Sequence, residues 1–492
     1  MHIDLRATDR LTGKRPLDLT PVFTALAQAL PGSGVDLTRL RVVADWVQYR
    51  QNFRNPVDVR EILPSALETR QASANREIAV DLRRTGAVDL AGEFARALAP
   101  DAVTATVEGA QFIEDWVRGA ESRIWAFNGL YWGSLGLWEA ATGREYEEAL
   151  PSGESDARNI EMADDLIWKL FRVWDDLAAR RALPEDLYVV ELGVGNGNQA
   201  AVWLDEFQRL DREHRGEYYR RLHYLMGDYS PHVLERARTR VQAHAEHVSG
   251  LVMDARSPSR TLGFLRGKAF LIYLSNVYDN LPTDEFVRIG GQLFRVEVRS
   301  YIAAGEAEAI APTVHCSPAD LPALVSRLLD LGPELLAKAE PARFPEGVTA
   351  AVGFWRTVWD AVRLQERYVP SDGLDAYDIA PGISGELMRP LIEANGDVRM
   401  HVSNGAAASF LDSLGLLHPY GVLECHDIFV TNVHQYQGSY RGPGKYDGSV
   451  VNWVNGPLLD AICKRYGFEA QFSPFRYREG SNVMTLTARV RE

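Results

Sequence analysis

The chain has 492 residues, 46% of them apolar and 24% charged, and a formal net charge of −14, which fits a globular protein of two or three domains or one large domain with insertions. The excess of acid argues against a nucleic-acid backbone or an anionic membrane surface as principal partner, since both would be repelled. Three cysteines, Cys316, Cys425 and Cys463, give neither a fully paired framework nor a CxxC spacing, which favours a reducing compartment.

The opening stretch MHIDLRATDRLTGKRPLDLT has no apolar core and mixes Asp with Arg, unlike a signal or transit peptide, so the expected location is the cytoplasm. No run of about 18 apolar residues occurs, so no membrane span is expected. Residues 1–180 read as mainly helical, because apolar positions recur at three- and four-residue steps in LTRLRVVADWVQYRQNF and AQFIEDWVRGAESRIWAFNGLYWGSLGLW. The aromatic residues of the second stretch suit helix packing or the wall of a substrate cleft, and they leave a homodimer open.

From about residue 186 the pattern changes. Apolar runs LYVVEL, LHYLMGD, SGLVMDA and AFLIYLSN alternate with amphipathic stretches such as HVLERARTRVQAHAEHV, as in an α/β unit with a parallel sheet. An α+β insertion then interrupts, with an apparent hairpin in QLFRVEVRSYIAA and helices in LPALVSRLLDLGPELLAKA and GFWRTVWDAVRLQERYV. The rhythm resumes with helix AAASFLDSLGLL, strand GVLECHDIFV, helix GPLLDAICKRYG and strands FEAQFSPF and NVMTLTARV. The expected fold is therefore α/β, a sheet of seven strands whose last two form an antiparallel pair.

The stretch VVELGVGNGN lies where the first of these strands ends, and in an open α/β sheet the ligand sits beyond the carboxyl ends of the strands. Gly193, Gly195 and Gly197 remove the Cβ atoms that would hold a ligand off the backbone. Dinucleotide folds space their glycines Gly-x-Gly-x-x-Gly to meet a pyrophosphate; here the spacing is Gly-x-Gly-x-Gly, Asn198 follows, and Glu191 precedes. A carboxylate repels pyrophosphate and attracts an ammonium or a sulfonium, which points to S-adenosyl-L-methionine, with S-adenosyl-L-homocysteine as product.

Three further strand ends carry polar groups. Asp228, followed by Tyr229, ends the second strand, where a carboxylate can hold both ribose hydroxyls. Asp254 and Ala255 end the third, placed to meet the adenine amino group and to supply a backbone donor. Ser275 and Asn276 end the fourth, where the transferable methyl would point, and lead into Val277-Tyr278-Asp279-Asn280-Leu281-Pro282. One acid at a strand end is more often a helix cap or a turn; polar groups at four successive ends point to a ligand.

On these residues the sequence resembles the class I S-adenosylmethionine-dependent methyltransferases, and among them the MidA family, bacterial relatives of the mitochondrial methyltransferase that assists complex I assembly. The resemblance runs from about Asp156 to the C-terminus. It rests on ELGVGNG, on DYSPHVLERA (Asp228 to Ala237) against the family's Glu-x-Ser-Pro, and on YDNLP against its Phe-Asp-Ala-Leu-Pro. VRMHVSNGAAASFLDSLGLLHPYGVLECHD, with Asp427 at the family's Asp, and GSYRG (Gly438 to Gly442) continue it. The sequence pattern divides the chain into a Rossmann-like domain in two parts, 181–300 and 401–492, with the region 1–180 and the insertion 301–400 expected on the substrate side; about the first 130 residues match nothing in the family. The resemblance implies a protein substrate methylated on arginine. The chain departs from the family where Ser275 and Asn276 replace Asn-Glu, and where VNWVNG (Val451 to Gly456) replaces a late Asp-x-Thr-x-His.

Methyl transfer is an in-line displacement in which alignment supplies much of the catalysis. A guanidinium stays protonated, with a pKa above about 12, and needs carboxylates to hold it and take its proton. Asp279 is the candidate for that role or for general base, with Asn276 and Tyr278 beside it. With Asn276 in place of a glutamate only one carboxylate is left, which brings an uncharged amine, hydroxyl or amide of a small molecule forward as acceptor. Tyr440 and Arg441 are candidates for substrate binding. Successive strand residues face opposite ways, so Cys425-His426-Asp427 is not read as a metal or thiol site, and no metal is assigned. Two other readings stay open: an assembly factor that binds the cofactor without turning it over, and a nicotinamide oxidoreductase, against which stand Glu191 and the glycine spacing.

Overall fold

The computed structural model describes residues 1–6, 16–64, 75–105, 107–149, 159–438 and 440–491. Asp156, where the family resemblance begins, and Ser439 of the Gly438–Gly442 loop lie outside them. No helix among the described residues is long and apolar enough to cross a membrane.

One sheet runs in the order Val248–Val252, Leu222–Asp228, Leu187–Leu192, Ala269–Ser275, Leu417–Asp427, Met484–Val490 and Phe468–Pro474. The first five are parallel, and Met484–Val490 pairs antiparallel with both of its neighbours. Its central strands are continuous apolar runs because helices cover both faces. Ile160–Ala179, Asn198–His214 and Pro231–Arg240 pack on one side, and Asn404–Leu414 with Gly456–Tyr466 on the other. Gly197 permits the join of two of these helices, since a Cβ there would lie 2.7 Å from the Ala237 Cα.

The expectation of a mainly helical N-terminal region needs correction. His2–Arg6, Leu40–Asp45, Val57–Ile62 and Asn75–Asp81 are strands, and LTRLRVVADWVQYRQNF forms a strand and a loop. They belong to a ten-stranded mixed sheet that continues through Arg363–Pro370, Gln292–Ile302, Glu285–Ile289 and Val398–His401. The physical reason is that both faces of these strands are buried. Leu40, Val42, Ala44, Val57, Val59, Ile78 and Val80 pack under two helices, Thr20–Ala29 and Leu90–Leu98. The alternate residues Arg41, Asp45, Arg60 and Glu77 are buried on the opposite face, so the polar half of the pattern mimics a solvated helix face. QLFRVEVRSYIAA is likewise one eleven-residue strand, paired with Glu285–Ile289 across Gly290-Gly291, both at positive φ. The stretch GFWRTVWDAVRLQERYV splits into helix Val348–Ala361 and strand Arg363–Pro370.

The buried charges of this sheet are paired. Arg399 meets Glu285 at 2.5 Å and Glu366 at 2.8 Å, Arg60 meets Glu366 and Glu77 at 2.6 Å, and Arg41 meets Glu77 at 3.1 Å. Burial alone would raise the Glu77 pKa, but Arg60, Arg41 and Arg6 outweigh it and hold it at about 2. Arg399→Ala leaves two buried carboxylates short of their partner and is expected to lower the unfolding free energy in urea by about 3–5 kcal/mol. Because the folded pKa of Glu77 is depressed, its stabilisation is present above the unfolded value of about 4.3 and is lost as pH falls through that value towards about 2. Denaturation between those limits, monitored by circular dichroism, checks the sign.

Candidate active site

A cavity of about 1740 Å³ lies beyond the carboxyl ends of the parallel strands. Its floor comes from Glu191–Asn196, Asn198, Gln199, Gly227–Tyr229, Met253–Arg256 and the Ser275–Pro282 turn. The facing wall comes from segments far away in sequence: Gln48–Gln51, the helix Ile124–Gly133, Tyr146, the bend at Leu329–Gly332 and residues around Lys445–Trp453. The bend arises where helix Leu321–Ala339 breaks at Gly332, φ 73°.

The glycine loop is left-handed at all three glycines, with φ of 74° at Gly193, 57° at Gly195 and 80° at Gly197. Any other L-residue is strained there. The three do different things. A Cβ on Gly193 would lie 2.5 Å from Val277 Cγ2, and one on Gly195 would lie 2.5 Å from the Tyr146 hydroxyl oxygen. Gly193 and Gly195 line the cavity, whereas Gly197, assigned above to the cofactor, serves the packing against Ala237.

Among the described residues no ion pair joins Glu191 or Asp228, the carboxylates beside this loop, to a cation. Glu191 is buried and accepts a 2.6 Å hydrogen bond from the Tyr224 hydroxyl. Burial, assisted by Asp228 and opposed by Tyr224, raises its pKa to about 8. Asp228 accepts from the backbone N–H of Gly195 at 3.2 Å and of Ser230 at 2.9 Å, and burial raises it to about 6 against those bonds. The ring of Tyr229 lies against the helix Ile124–Gly133, within 3.5 Å of where a Gly133 Cβ would stand. Asp254 lines the cavity beside Ala255, but Arg256 takes both of its carboxylate oxygens.

At the fourth strand end Asn276 is held at φ 52°, an uncommon conformation that Asn tolerates better than most residues, by an N–H bond to the His426 carbonyl. Two turn residues further on, Asp279 lines the cavity. Its neighbour Asp427 is fully buried and accepts from the backbone N–H of Tyr278 at 2.8 Å, Asp279 at 3.3 Å and Ile428 at 2.7 Å, so it fixes the turn. Burial and then the repulsion of Asp427 push Asp279 well above the usual carboxylate range, and Asp427 itself rises to about 6. The two carboxyls titrate as a coupled pair, each disfavouring the charge of the other.

Three candidate residues lie elsewhere. The Tyr278 side chain is fully buried in the apolar core under the sheet, because successive residues of a tight turn point apart. Tyr440 lies under the Arg54 guanidinium, 3.4 Å from ring centroid to carbon, within the buried charge network. Arg441 packs over Trp453, 4.2 Å from its centroid, and it is Trp453 that lines the cavity. Other residues enter that sequence reading did not single out. Asn452 donates from its backbone N–H and its Nδ2 to the Asp279 carbonyl, at 2.9 and 2.7 Å; its signal was the VNWVNG replacement. Tyr49, Asn128, Tyr146 and Gln199 also line the cavity and carry no motif. Among the described residues no cluster of His, Cys, Asp and Glu could hold a metal ion.

Residues 168–335, about a third of the chain, match the model of the family Methyltransf_28, described as "Putative S-adenosyl-L-methionine-dependent methyltransferase". That region contains the glycine loop and all four polar strand ends, and the bare backbone and unpaired carboxylates there fit the cofactor the description names. S-adenosyl-L-methionine is the cofactor. No curated protein matches the chain. Among solved structures, a Burkholderia thailandensis protein with S-adenosyl-homocysteine bound is 12% identical, with a TM-score of 0.44, covering 76% of this chain and 88% of that one. The CcbJ methyltransferase of Streptomyces caelestis is 10% identical, with a TM-score of 0.31, covering 70% and 95%. Likenesses of this strength carry no inference about activity.

Raised carboxylate pKa values have a consequence for stability. Between the unfolded values near 4 and the folded values of about 6 for Asp228 and about 8 for Glu191, the native chain binds protons the unfolded chain has lost. Their contribution is therefore present at acid pH and is lost as pH rises through about 6 and about 8. Melting temperatures of the free protein are expected to fall over that range, and Asp228→Asn to flatten the lower part. Identical pH profiles for variant and parent would contradict the assignment.

Proposed function

We propose that the protein is an S-adenosyl-L-methionine-dependent methyltransferase acting on a nitrogen or oxygen acceptor held against Asp279. The observation that carries this is that Glu191, Asp228 and Asp279, which form no ion pair among the described residues, line one cavity together with the glycine loop. The strand order, with Met484–Val490 antiparallel inside the sheet, supports the methyltransferase type of Rossmann-like fold. The bound cofactor supplies a methyl group on a sulfonium, a good leaving centre for in-line displacement.

The chain's own groups then divide the work. Asp228 takes the ribose hydroxyls. Met253 to Ala255 border the adenine. Glu191, Ser275 and Asn276 face the methionine and methyl region. Asp279, held by Asn452 and Asp427, receives the acceptor proton. Carboxyls whose charge is disfavoured by burial and by each other are better matched to a neutral amine, hydroxyl or amide than to a guanidinium, which needs full charge opposite it. A small-molecule acceptor is therefore placed ahead of an arginine of a partner protein, the substrate the MidA-like reading implies. Tyr49, Tyr131, Trp132 and Trp453 give this part of the cavity aromatic walls.

Calorimetric titration is expected to give micromolar binding of S-adenosylmethionine and S-adenosylhomocysteine, and no heat with NAD. Asp279→Asn is expected to keep the S-adenosylhomocysteine affinity within about threefold and to lower turnover by about a hundredfold or more. Binding of NAD alone would contradict the cofactor. Full turnover in Asp279→Asn would contradict the chemistry, and binding without product over a broad acceptor screen would favour the assembly-factor reading.

A further inference from the structure

Gln199 opens the helix Asn198–His214 two residues past Gly197 and lines the cavity. Its side chain is only 2% exposed, yet neither its Nε2 nor its Oε1 has a hydrogen-bond partner. A buried primary amide unpaired at both ends is disfavoured, and such a group in a native site calls for a ligand or water to pair it. The neighbouring Glu191 and Asp228 carboxylates do not pair it, being bonded to Tyr224 and to backbone N–H groups.

A second polar group converges from the opposite wall. The Tyr146 hydroxyl oxygen stands 2.5 Å from where a Cβ on Gly195 would be, so it lies directly over the glycine loop. Its backbone is tied down: the Tyr146 N–H donates to Glu139 at 3.0 Å, and Arg236 binds Glu139 at 2.7 Å and Glu145 at 2.9 Å. Arg236 belongs to the helix Pro231–Arg240 that follows Asp228. The Tyr146 backbone is thus tied to the same helix that follows the proposed ribose carboxylate.

We propose that Gln199 and Tyr146 form the subsite for the amino-acid end of the cofactor. The Gln199 Oε1 accepts from the α-ammonium and its Nε2 donates to the α-carboxylate, while the Tyr146 hydroxyl donates to that same carboxylate. A neutral amide offers one acceptor and two donors, which matches a group carrying both charges. The start of helix Asn198–His214, at the positive end of its dipole, favours the carboxylate there as well. This subsite rests on the cofactor reading above.

The test compares S-adenosylhomocysteine with 5′-methylthioadenosine, which keeps the adenine, ribose and sulfur and lacks the amino-acid end. Gln199→Met is expected to weaken S-adenosylhomocysteine binding about tenfold, as for a hydrogen bond to a charged group, and to leave methylthioadenosine within about twofold. Tyr146→Phe is expected to act in the same direction, and it carries the comparison if Gln199→Met melts below the assay temperature. Equal losses for both ligands, or no loss for either, would overturn the subsite while leaving the cofactor reading intact. A parent protein that binds neither ligand would overturn both.

Discussion

Carboxylates buried without a cation are costly, and the arrangement of this protein follows from where it allows them. In the ten-stranded sheet every interior glutamate of the network has an arginine: Glu77, Glu285 and Glu366 are held by Arg41, Arg60 and Arg399. Around the cavity Glu191, Asp228, Asp279 and Asp427 have only hydroxyl, amide or backbone partners. Burial raises the pKa of the second set, while the arginines overcome burial in the first. Of this second set Glu191 faces the proposed sulfonium, Asp228 the ribose and Asp279 the acceptor, while Asp427 fixes the turn beneath them.

The cavity exists because two sheets divide the labour. The parallel sheet brings four strand ends to one edge, and its glycines let the backbone face the ligand. The N-terminal sheet and its helices supply the roof, so that Tyr49, Asn128 and Tyr146 stand opposite residues far later in sequence. Contact between the halves is specific: Asn128 donates to the Asn280 carbonyl and accepts from the Val450 N–H. The turn that carries Asp279 is therefore held from both sides, by Asp427 below and by Asn128 and Asn452 above.

How legible this was in the sequence depended on the kind of order involved. The α/β alternation after residue 186 was readable because strands covered on both faces are continuous apolar runs, and the polar residue ending each run marks the ligand edge. The N-terminal sheet was not, since Leu40–Asp45 alternates apolar residues with charges that are themselves buried, and a pattern of buried charge looks like a solvated face. Asp279 was readable from its place after the fourth strand. Tyr278, its neighbour, was misplaced because sequence adjacency says nothing about direction in a turn. Tyr49, Tyr146 and Gln199 enter through tertiary packing alone, and only the coordinates show an unpaired amide.

On this account Glu191 stands without a cation because the cofactor brings one. Titration of S-adenosylmethionine and of S-adenosylhomocysteine near pH 7, each in two buffers of different ionisation enthalpy, tests it directly. Glu191, at about 8, is protonated there in the free protein, so the sulfonium is predicted to expel protons that the neutral thioether does not. The measured heat should depend on the buffer for the first ligand and much less for the second. Equal buffer dependence for both, or none for either, would contradict the account.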